Sequence, residues 1–183
     1  MGLRNDAWGY GSVARLFHWT AAVCVASAWL LGTFIDDLPK AWESKVLFTH
    51  ISCGLAVLAL LLCRVGWRRI SPPPPQIATP FEPWVGYAAL VGHYSLYLLM
   101  LAVPLVGVTL QFTRGKALPL FGLVEIASPW VSDRALTSSV KGVHGFLAVA
   151  LVILAAGHVV AALLHHYALK DDTLRRMLMG RRV

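Results

Sequence analysis

Two histidines in the last apolar run of the chain, His144 and His158, have the spacing of paired metal sites. They are fourteen residues apart in the segment Lys141 to His166. On an α-helix that separation is about four turns, or roughly 21 Å, so both imidazoles leave the same face, one towards each end of the segment. Ionisable side chains are costly inside a bilayer and mark functional sites. Because imidazole is an axial ligand of haem iron, the spacing predicts two haem-type sites stacked across a membrane.

The composition is that of a membrane protein. Of 183 residues, 57% are hydrophobic and only 14% are charged, whereas soluble domains average about 25% charged. A membrane-spanning helix needs about 20 mainly apolar residues. Four such runs predict an all-α bundle of four transmembrane helices in a single domain, residues 1–183, with helices at about 14–35, 46–63, 84–112 and 141–166.

The net charge of +7 does not indicate a nucleic-acid partner, because the basic residues flank the apolar runs. Cys24, Cys53 and Cys63 lie within those runs and form no CxxC pattern, which excludes covalent haem attachment and predicts buried free thiols. No cleavage site follows the first run, so we expect it to be a retained helix.

Loop charges predict the orientation. Ten lysines and arginines lie in the N-terminal tail, the loop after helix 2, the C-terminal tail and the helix ends that adjoin them. The other two loops and their adjoining helix ends hold six. This bias predicts that both termini are cytoplasmic. Residues 36–45 are expected to be a short exposed connection, and the proline run in 64–83 a stiff loop. The longest connection, 113–140, is expected to lie along the surface as a lid.

The depth of each histidine along its predicted helix indicates which histidines form pairs. Helices 2 and 4 both begin on the outer side, and His50 and His144 each lie about one turn inside, which predicts an outer pair. His158 lies about two turns from the inner end of helix 4. His18 and His93 have similar depths, so spacing leaves them equal as its partner.

Two imidazoles at each level fit a haem better than they fit a zinc site or a non-haem iron site. Zinc requires four ligands, and non-haem iron requires a carboxylate beside its histidines, but the helix interiors carry no carboxylate. Small residues are available to border a flat macrocycle: Gly54, Gly92, Gly107, Gly145 and Gly157. Cations at suitable heights for haem propionates are Arg15, Arg64, Arg114 and Lys141. The alternatives are interhelical hydrogen bonds, or a histidine-lined metal or proton transporter without haem.

Several motifs carry a family resemblance over nearly the whole chain. They are FHW (17–19), HISCG (50–54), GH (92–93), TRG (113–115), KGVH (141–144), GH (157–158) and HHYALKDDTLRRM (165–177). With these motifs the chain resembles the bacterial cytochrome b561 family, small four-helix cytochromes with two b-type haems in the inner membrane. The resemblance implies that His18, rather than His93, pairs with His158 at the inner haem. It also implies that His50 pairs with His144 at the outer haem.

The resemblance extends to members described as superoxide oxidases, which pass electrons from superoxide to ubiquinone, and so implies an oxidoreductase that needs no protein partner. Other relatives act as electron-relay subunits for a partner dehydrogenase or cytochrome, and this remains the alternative. For superoxide, an anion, Lys141 and then Arg114 are the candidate attracting cations. The outer loops carry about one net positive charge, so any attraction must be local. Candidates to line a quinone site are His165, His166 and Tyr167 at the inner end, together with His93.

Overall fold

The computed structural model describes residues 2–179 and contains four helices long and apolar enough to cross a membrane. The elements in chain order are α1 (Ser12–Phe34), α2 (Lys40–Ile70), α3 (Trp84–Thr113), β1 (Leu118–Leu120), β2 (Val124–Ile126), α4 (Arg134–Tyr167) and a short α5 (Thr173–Leu178). A single 3₁₀ turn, Ile35–Asp37, links α1 to α2. The predicted all-α bundle with four spanning helices is therefore confirmed.

Two helices extend well beyond their predicted bounds. Helix α2 includes residues 40–45, expected to be part of an exposed connection, and continues past Arg64 to Ile70. Helix α4 begins at Arg134, where Asp133 caps it by accepting a hydrogen bond from the backbone N–H of Leu136 at 3.0 Å. Apolar runs mark the hydrocarbon layer, whereas lysine, glutamate and arginine continue a helix readily into the polar layer. The predicted bounds 46–63 and 141–166 were therefore too short.

The connection after α3, predicted to lie along the surface as a lid, contains regular structure, and its last part, from Arg134, belongs to α4. Its apolar stretch folds into an antiparallel hairpin in which Leu118 pairs with Ile126 and Leu120 with Val124. The turn places Phe121 (φ 53°) and Gly122 (φ 74°) in the left-handed region, and the N–H of Leu123 donates to the carbonyl of Leu120 at 2.9 Å. Leu118 is buried, which fixes the hairpin against α2 and α3.

The core is a thin layer near the middle of the bundle. It consists of Ala21, Val57, Leu61, Met100 and Leu151. Most other large apolar side chains are exposed on the helix surfaces, as expected where lipid is the solvent. Helix α1 packs mainly on α2 and α3 on α4, while α1 and α4 barely touch. The bundle thus has room between its two helix pairs above and below the core.

The two ends of the bundle differ. The end that carries the hairpin is called the hairpin side, and the end that carries both chain termini is called the termini side. On the termini side, Asn5 donates to the carbonyl of Ser71 at 2.9 Å, and Trp19 donates to the carbonyl of Met177 at 3.1 Å. Arg176 donates to the carbonyl of Pro75 at 2.9 Å. The N-terminal segment, the proline-rich loop and α5 therefore meet in one cap.

Asp171 connects α4 to α5 within this cap. Its carboxylate lies 2.6 Å from Nδ1 of His165 and accepts from the N–H of Thr173 at 2.8 Å. Burial alone would raise the pKa of Asp171, but the hydrogen bonds from His165 and Thr173 lower it below its usual value. The carboxylate is therefore the favoured form, and it holds the start of α5 onto the end of α4.

We expect Asp171→Asn to loosen α5, because the amide loses a charge-assisted hydrogen bond worth about 1–3 kcal/mol. Because the folded pKa of this carboxyl is depressed, its stabilisation is present above the unfolded pKa near 3.8 and is lost as the pH falls through the folded value. Amide hydrogen exchange in 173–179 at neutral pH should increase in the variant and stay low in the control Asp172→Asn, whose ion pair with Arg175 is exposed. Equal exchange in both variants would contradict this role.

Candidate functional site

The structure brings four histidines together as two pairs, at two levels of the bundle. On the hairpin side, the ring centroids of His50 in α2 and His144 in α4 are 6.0 Å apart. On the termini side, those of His18 in α1 and His158 in α4 are 6.2 Å apart. The core layer lies between the two levels. Helix α4 therefore supplies one member of each pair, as its fourteen-residue spacing predicted.

The separation within each pair suits one metal ion between two imidazoles. An imidazole nitrogen lies about 2.0–2.1 Å from a bound transition metal such as zinc, and the ring centroid lies about 1 Å further back, so opposed rings have centroids roughly 6 Å apart. Both pairs match this value. Within residues 2–179, no three side chains of His, Cys, Asp or Glu are grouped as metal ligands. The described residues therefore offer pairs of imidazoles, the donor set that a haem would need.

Hydrogen bonds define the tautomers on the hairpin side. Nδ1 of His50 lies 2.8 Å from the carbonyl oxygen of Ala28, and Nδ1 of His144 lies 3.2 Å from that of Val103. A carbonyl only accepts, so each Nδ1 must carry the proton and donate it. Metal-binding histidines typically use the second nitrogen in this way, which fixes the ring and leaves Nε2 free to coordinate. Backbone carbonyls therefore orient both rings in the tautomer that a metal ligand would need.

A cavity of about 750 Å³ lies at the hairpin-side pair. It is lined by both rings and by Gly54 and Gly145, and its volume is typical of pockets for small molecules and cofactors. A Cβ atom at Gly54 or Gly145 would meet no other atom within 4 Å, so each would project into open space. These two predicted glycines thus provide flat walls. Gly92 and Gly157, beside the termini-side histidines, are also open.

Two other glycines lie against the hairpin-side histidines. A Cβ at Gly32 would be 2.8 Å from Cε1 of His50, and one at Gly107 would be 3.1 Å from Cε1 of His144. Gly107, expected to border a macrocycle, lines the same cavity and also gives room to the imidazole of His144. Gly32 was missed by sequence reasoning. The only signal for it is its position near the end of helix 1, at the depth of His50.

The termini side has three histidines rather than two. His158 lies 6.2 Å from His18 and 5.4 Å from His93, so the structure brings both candidates to it. Nη1 of Arg64 lies 3.3 Å from Nδ1 of His18. A guanidinium only donates, so in this arrangement Nδ1 accepts and the proton of the neutral ring is on Nε2. Coordination through Nε2 therefore requires Arg64 to leave His18.

The predicted cations are distributed between the two ends. Arg114 and Lys141 line the hairpin-side cavity. Lys141 forms an ion pair with Asp36 at 3.2 Å, and both side chains are mostly exposed, so its charge is partly compensated. Arg64 lies at His18, and Arg15 donates to the carbonyl of Leu178 at 3.2 Å.

The predicted quinone residues lie in two places. His165 is bonded to Asp171, and the ring of His166 contacts that of Tyr167 edge-on at 4.8 Å. Tyr167 is largely exposed at the end of α4. His93 instead belongs to the termini-side histidine level. Across residues 2–179, no hydrogen bond or ring contact joins His93 to the other three residues.

Comparison with known proteins gives consistent matches along the chain. The family model described as prokaryotic cytochrome b561 matches residues 9–180. Cytochrome b561 homolog 2 of Escherichia coli K12 is 34% identical over 97% of this chain and 95% of its own length. The probable superoxide oxidase CybB of Yersinia pestis is 34% identical over 90% of this chain and 93% of its own length. Cytochrome b562 of Cereibacter sphaeroides is 32% identical over 94% of this chain and 97% of its own length.

The close contact at Gly32 gives a test of the hairpin-side geometry. We expect Gly32→Ala to displace the ring of His50, since the new Cβ would lie 2.8 Å from Cε1. The purified variant should contain less haem than the unchanged protein if this site binds haem and the displaced ring no longer holds it. Gly66→Ala is the matched control, because a Cβ at Gly66 meets no atom within 4 Å. Full haem content in both variants would show that the ring tolerates the methyl group.

Proposed function

The chain belongs to the prokaryotic cytochrome b561 family, and on that premise we propose that it is a dihaem cytochrome that transfers electrons from superoxide to ubiquinone. The family implies haem b. The observation that carries the proposal is the hairpin-side pair, in which two imidazoles 6.0 Å apart are oriented by carbonyls beside a cavity of about 750 Å³. The fit of these residues to a haem supports redox chemistry rather than transport.

Four histidines are proposed as the axial ligands. His50 and His144 hold the haem on the hairpin side, and His18 and His158 hold the haem on the termini side. When bound, each haem supplies a one-electron redox centre. With two histidines held against each haem, the electron would pass between superoxide and the haem without an open site on the iron. The role of these histidines is to fix the two centres on opposite sides of the core layer.

Superoxide is proposed to react on the hairpin side. Arg114 and Lys141 line the cavity there and attract an anion, while Asp36 offsets part of the charge of Lys141. Two superoxide anions each lose one electron and leave as two molecules of dioxygen. The quinone takes up those two electrons and two protons to become quinol. Arg114, Lys141, Arg15 and Arg64 are also the proposed partners of the haem propionates.

Ubiquinone is proposed to bind in a crevice at membrane depth on the termini side. His165, His166 and Tyr167 offer donors to its carbonyls, and His93 lies between this end and the core. The exposed ring of Tyr167 and the nitrogen of His166 that lacks a partner are consistent with a ligand there. The termini side is proposed to face the cytoplasm of a bacterium, with the hairpin side in the periplasm.

The second candidate is an electron-relay subunit that serves a partner dehydrogenase or cytochrome. It is favoured by the names of two relatives, cytochrome b561 homolog 2 and cytochrome b562, which describe cytochromes and state no substrate. The same histidine pairs would serve both functions. Activity of the purified chain without any partner distinguishes them.

The ligand assignment predicts separable haem losses. We expect His50→Ala and His144→Ala each to remove the hairpin-side haem and leave the other, because each removes one of only two axial ligands. Haem per chain, measured from the reduced spectrum of purified protein, should fall by about half. His166→Ala, which lies outside both pairs, is the control and should retain both haems. Retention of two haems in the His50 or His144 variant would refute the assignment.

Stopped-flow mixing of the purified, oxidised protein with superoxide should reduce its haem, and added ubiquinone should then reoxidise it. Lys141→Gln should slow the reduction several-fold and Asp36→Asn should accelerate it, because each changes the local positive charge. Both differences should shrink at high salt, since these side chains are exposed. Absence of either electron transfer in the unchanged protein would leave only the relay function.

A further inference from the structure

Arginine and tyrosine side chains form a cluster next to the termini-side histidines. Arg64 and Arg68 lie one turn apart in α2, and their guanidinium carbons are 5.5 and 5.6 Å from the ring centroid of Tyr97 in α3. Arg68 also donates to the hydroxyl of Tyr97 at 2.8 Å. Through Arg64, which lies 3.3 Å from the ring of His18, the cluster reaches the histidine level.

Tyr10, in the N-terminal segment, lies within electrostatic range of this cluster. The side chain is half-buried. Burial raises the pKa of its phenol, while the nearby charges of Arg64, Arg68 and Arg176 lower it. Three guanidinium groups are therefore close to one phenol. Arg176 is held there by the carbonyl of Pro75.

No carboxylate balances these charges in the part of the chain that the structure describes. The ion pairs within residues 2–179 are Lys141 with Asp36, His165 with Asp171, and Arg175 with Asp172. None of them includes Arg64, Arg68 or Arg176. Like charges in a partly buried setting repel one another, and guanidinium groups bind carboxylates and phosphates in a bidentate manner. The cluster thus has the composition of an anion site.

We propose that Arg64, Arg68, Tyr10 and Tyr97 bind the carboxylates of the haem held by His18 and His158, and that their charge stabilises its reduced form. The inference rests on the proposed function, since it names the residues that hold and tune one of its two haems. If Arg64 turns from His18 to a carboxylate, Nδ1 of His18 is free to carry the proton, as coordination through Nε2 requires. The contact that conflicts with coordination is thereby removed.

The phosphate of a phospholipid presents the same chemistry to these donors. The position of the cluster favours the haem carboxylates, because Arg64 contacts His18 directly. The N-terminal segment lies beside the cluster, where Asn5 is bonded to Ser71 and Pro72. Arg68 itself is exposed, so a lipid headgroup is the competing source of the anion. The experiment separates the two sources by measuring bound phospholipid together with the haem potentials.

The test is a redox titration of the purified full-length protein, followed at visible wavelengths. Arg68→Gln should lower the midpoint potential of one of the two haems, because a cation favours the more negative, reduced state. The equilibrium constant for its reduction should fall on the order of tenfold, the effect of one charge at about 10 Å with an effective dielectric constant of about 20. Arg68→Lys should restore most of the potential. Arg69→Gln, the same charge change at the next position, should leave it unchanged, because Arg64 and Arg68 are the arginines that lie over the ring of Tyr97 among residues 2–179.

Haem and phospholipid phosphorus per chain are measured in the same samples. If Arg68→Gln and Arg69→Gln have equal midpoint potentials, the proposal is overturned. If Arg68→Gln then also loses bound phospholipid, the anion at the cluster is a lipid phosphate. If Arg68→Gln loses haem, Tyr97→Phe replaces it. This variant removes the hydroxyl that is proposed to donate to a haem carboxylate, so the midpoint potential should fall, though by less than the loss of a charge would lower it. An unshifted potential there also overturns the proposal. Absence of two haems in the unchanged protein would instead contradict the proposed function.

Discussion

The arrangement of this bundle depends on one constraint, which is that imidazoles within an apolar layer need partners. An unsatisfied polar group costs several kcal/mol in lipid. His50 and His144 each use one nitrogen on a helix carbonyl, at Ala28 and Val103, and keep the other for a ligand. The rings then stay about 6 Å apart, too far for α2 and α4 to close on each other at that level. The packed core is accordingly a thin layer between two open levels.

The imidazoles at the two levels obtain their hydrogen-bond partners in different ways. On the hairpin side, neutral carbonyls orient the rings, and Gly32 and Gly107 provide the space for them. On the termini side, Arg64 donates to His18, and a third histidine, His93, lies at His158. Backbone carbonyls favour a fixed ligand tautomer, whereas an arginine that occupies Nδ1 must move before Nε2 coordinates. On the termini side, coordination through Nε2 of His18 therefore depends on whether Arg64 stays at Nδ1.

The two ends also differ in what covers them. The hairpin side has a cavity bordered by Arg114 and Lys141 and partly walled by Leu118 of the hairpin. The termini side is closed by a cap in which α5 and the N-terminal segment are fixed by hydrogen bonds to backbone carbonyls. Asp171 couples that cap to the end of α4, next to the residues proposed for quinone. A small anion and a membrane-soluble acceptor would thus meet different chemical surfaces.

The sequence by itself determined the four spanning helices and the pairing of His50 with His144. Apolar run length and depth along a helix are local properties, and both helices enter the bundle from the same side. It did not decide between His18 and His93, because both have the right depth and the choice depends on how each helix is rotated. Only the tertiary structure placed both His18 and His93 beside His158, with ring centroids at 6.2 and 5.4 Å. Likewise, the hairpin, the role of Gly32 and the arginine cluster at Tyr97 arise from contacts between helices, which no local pattern records.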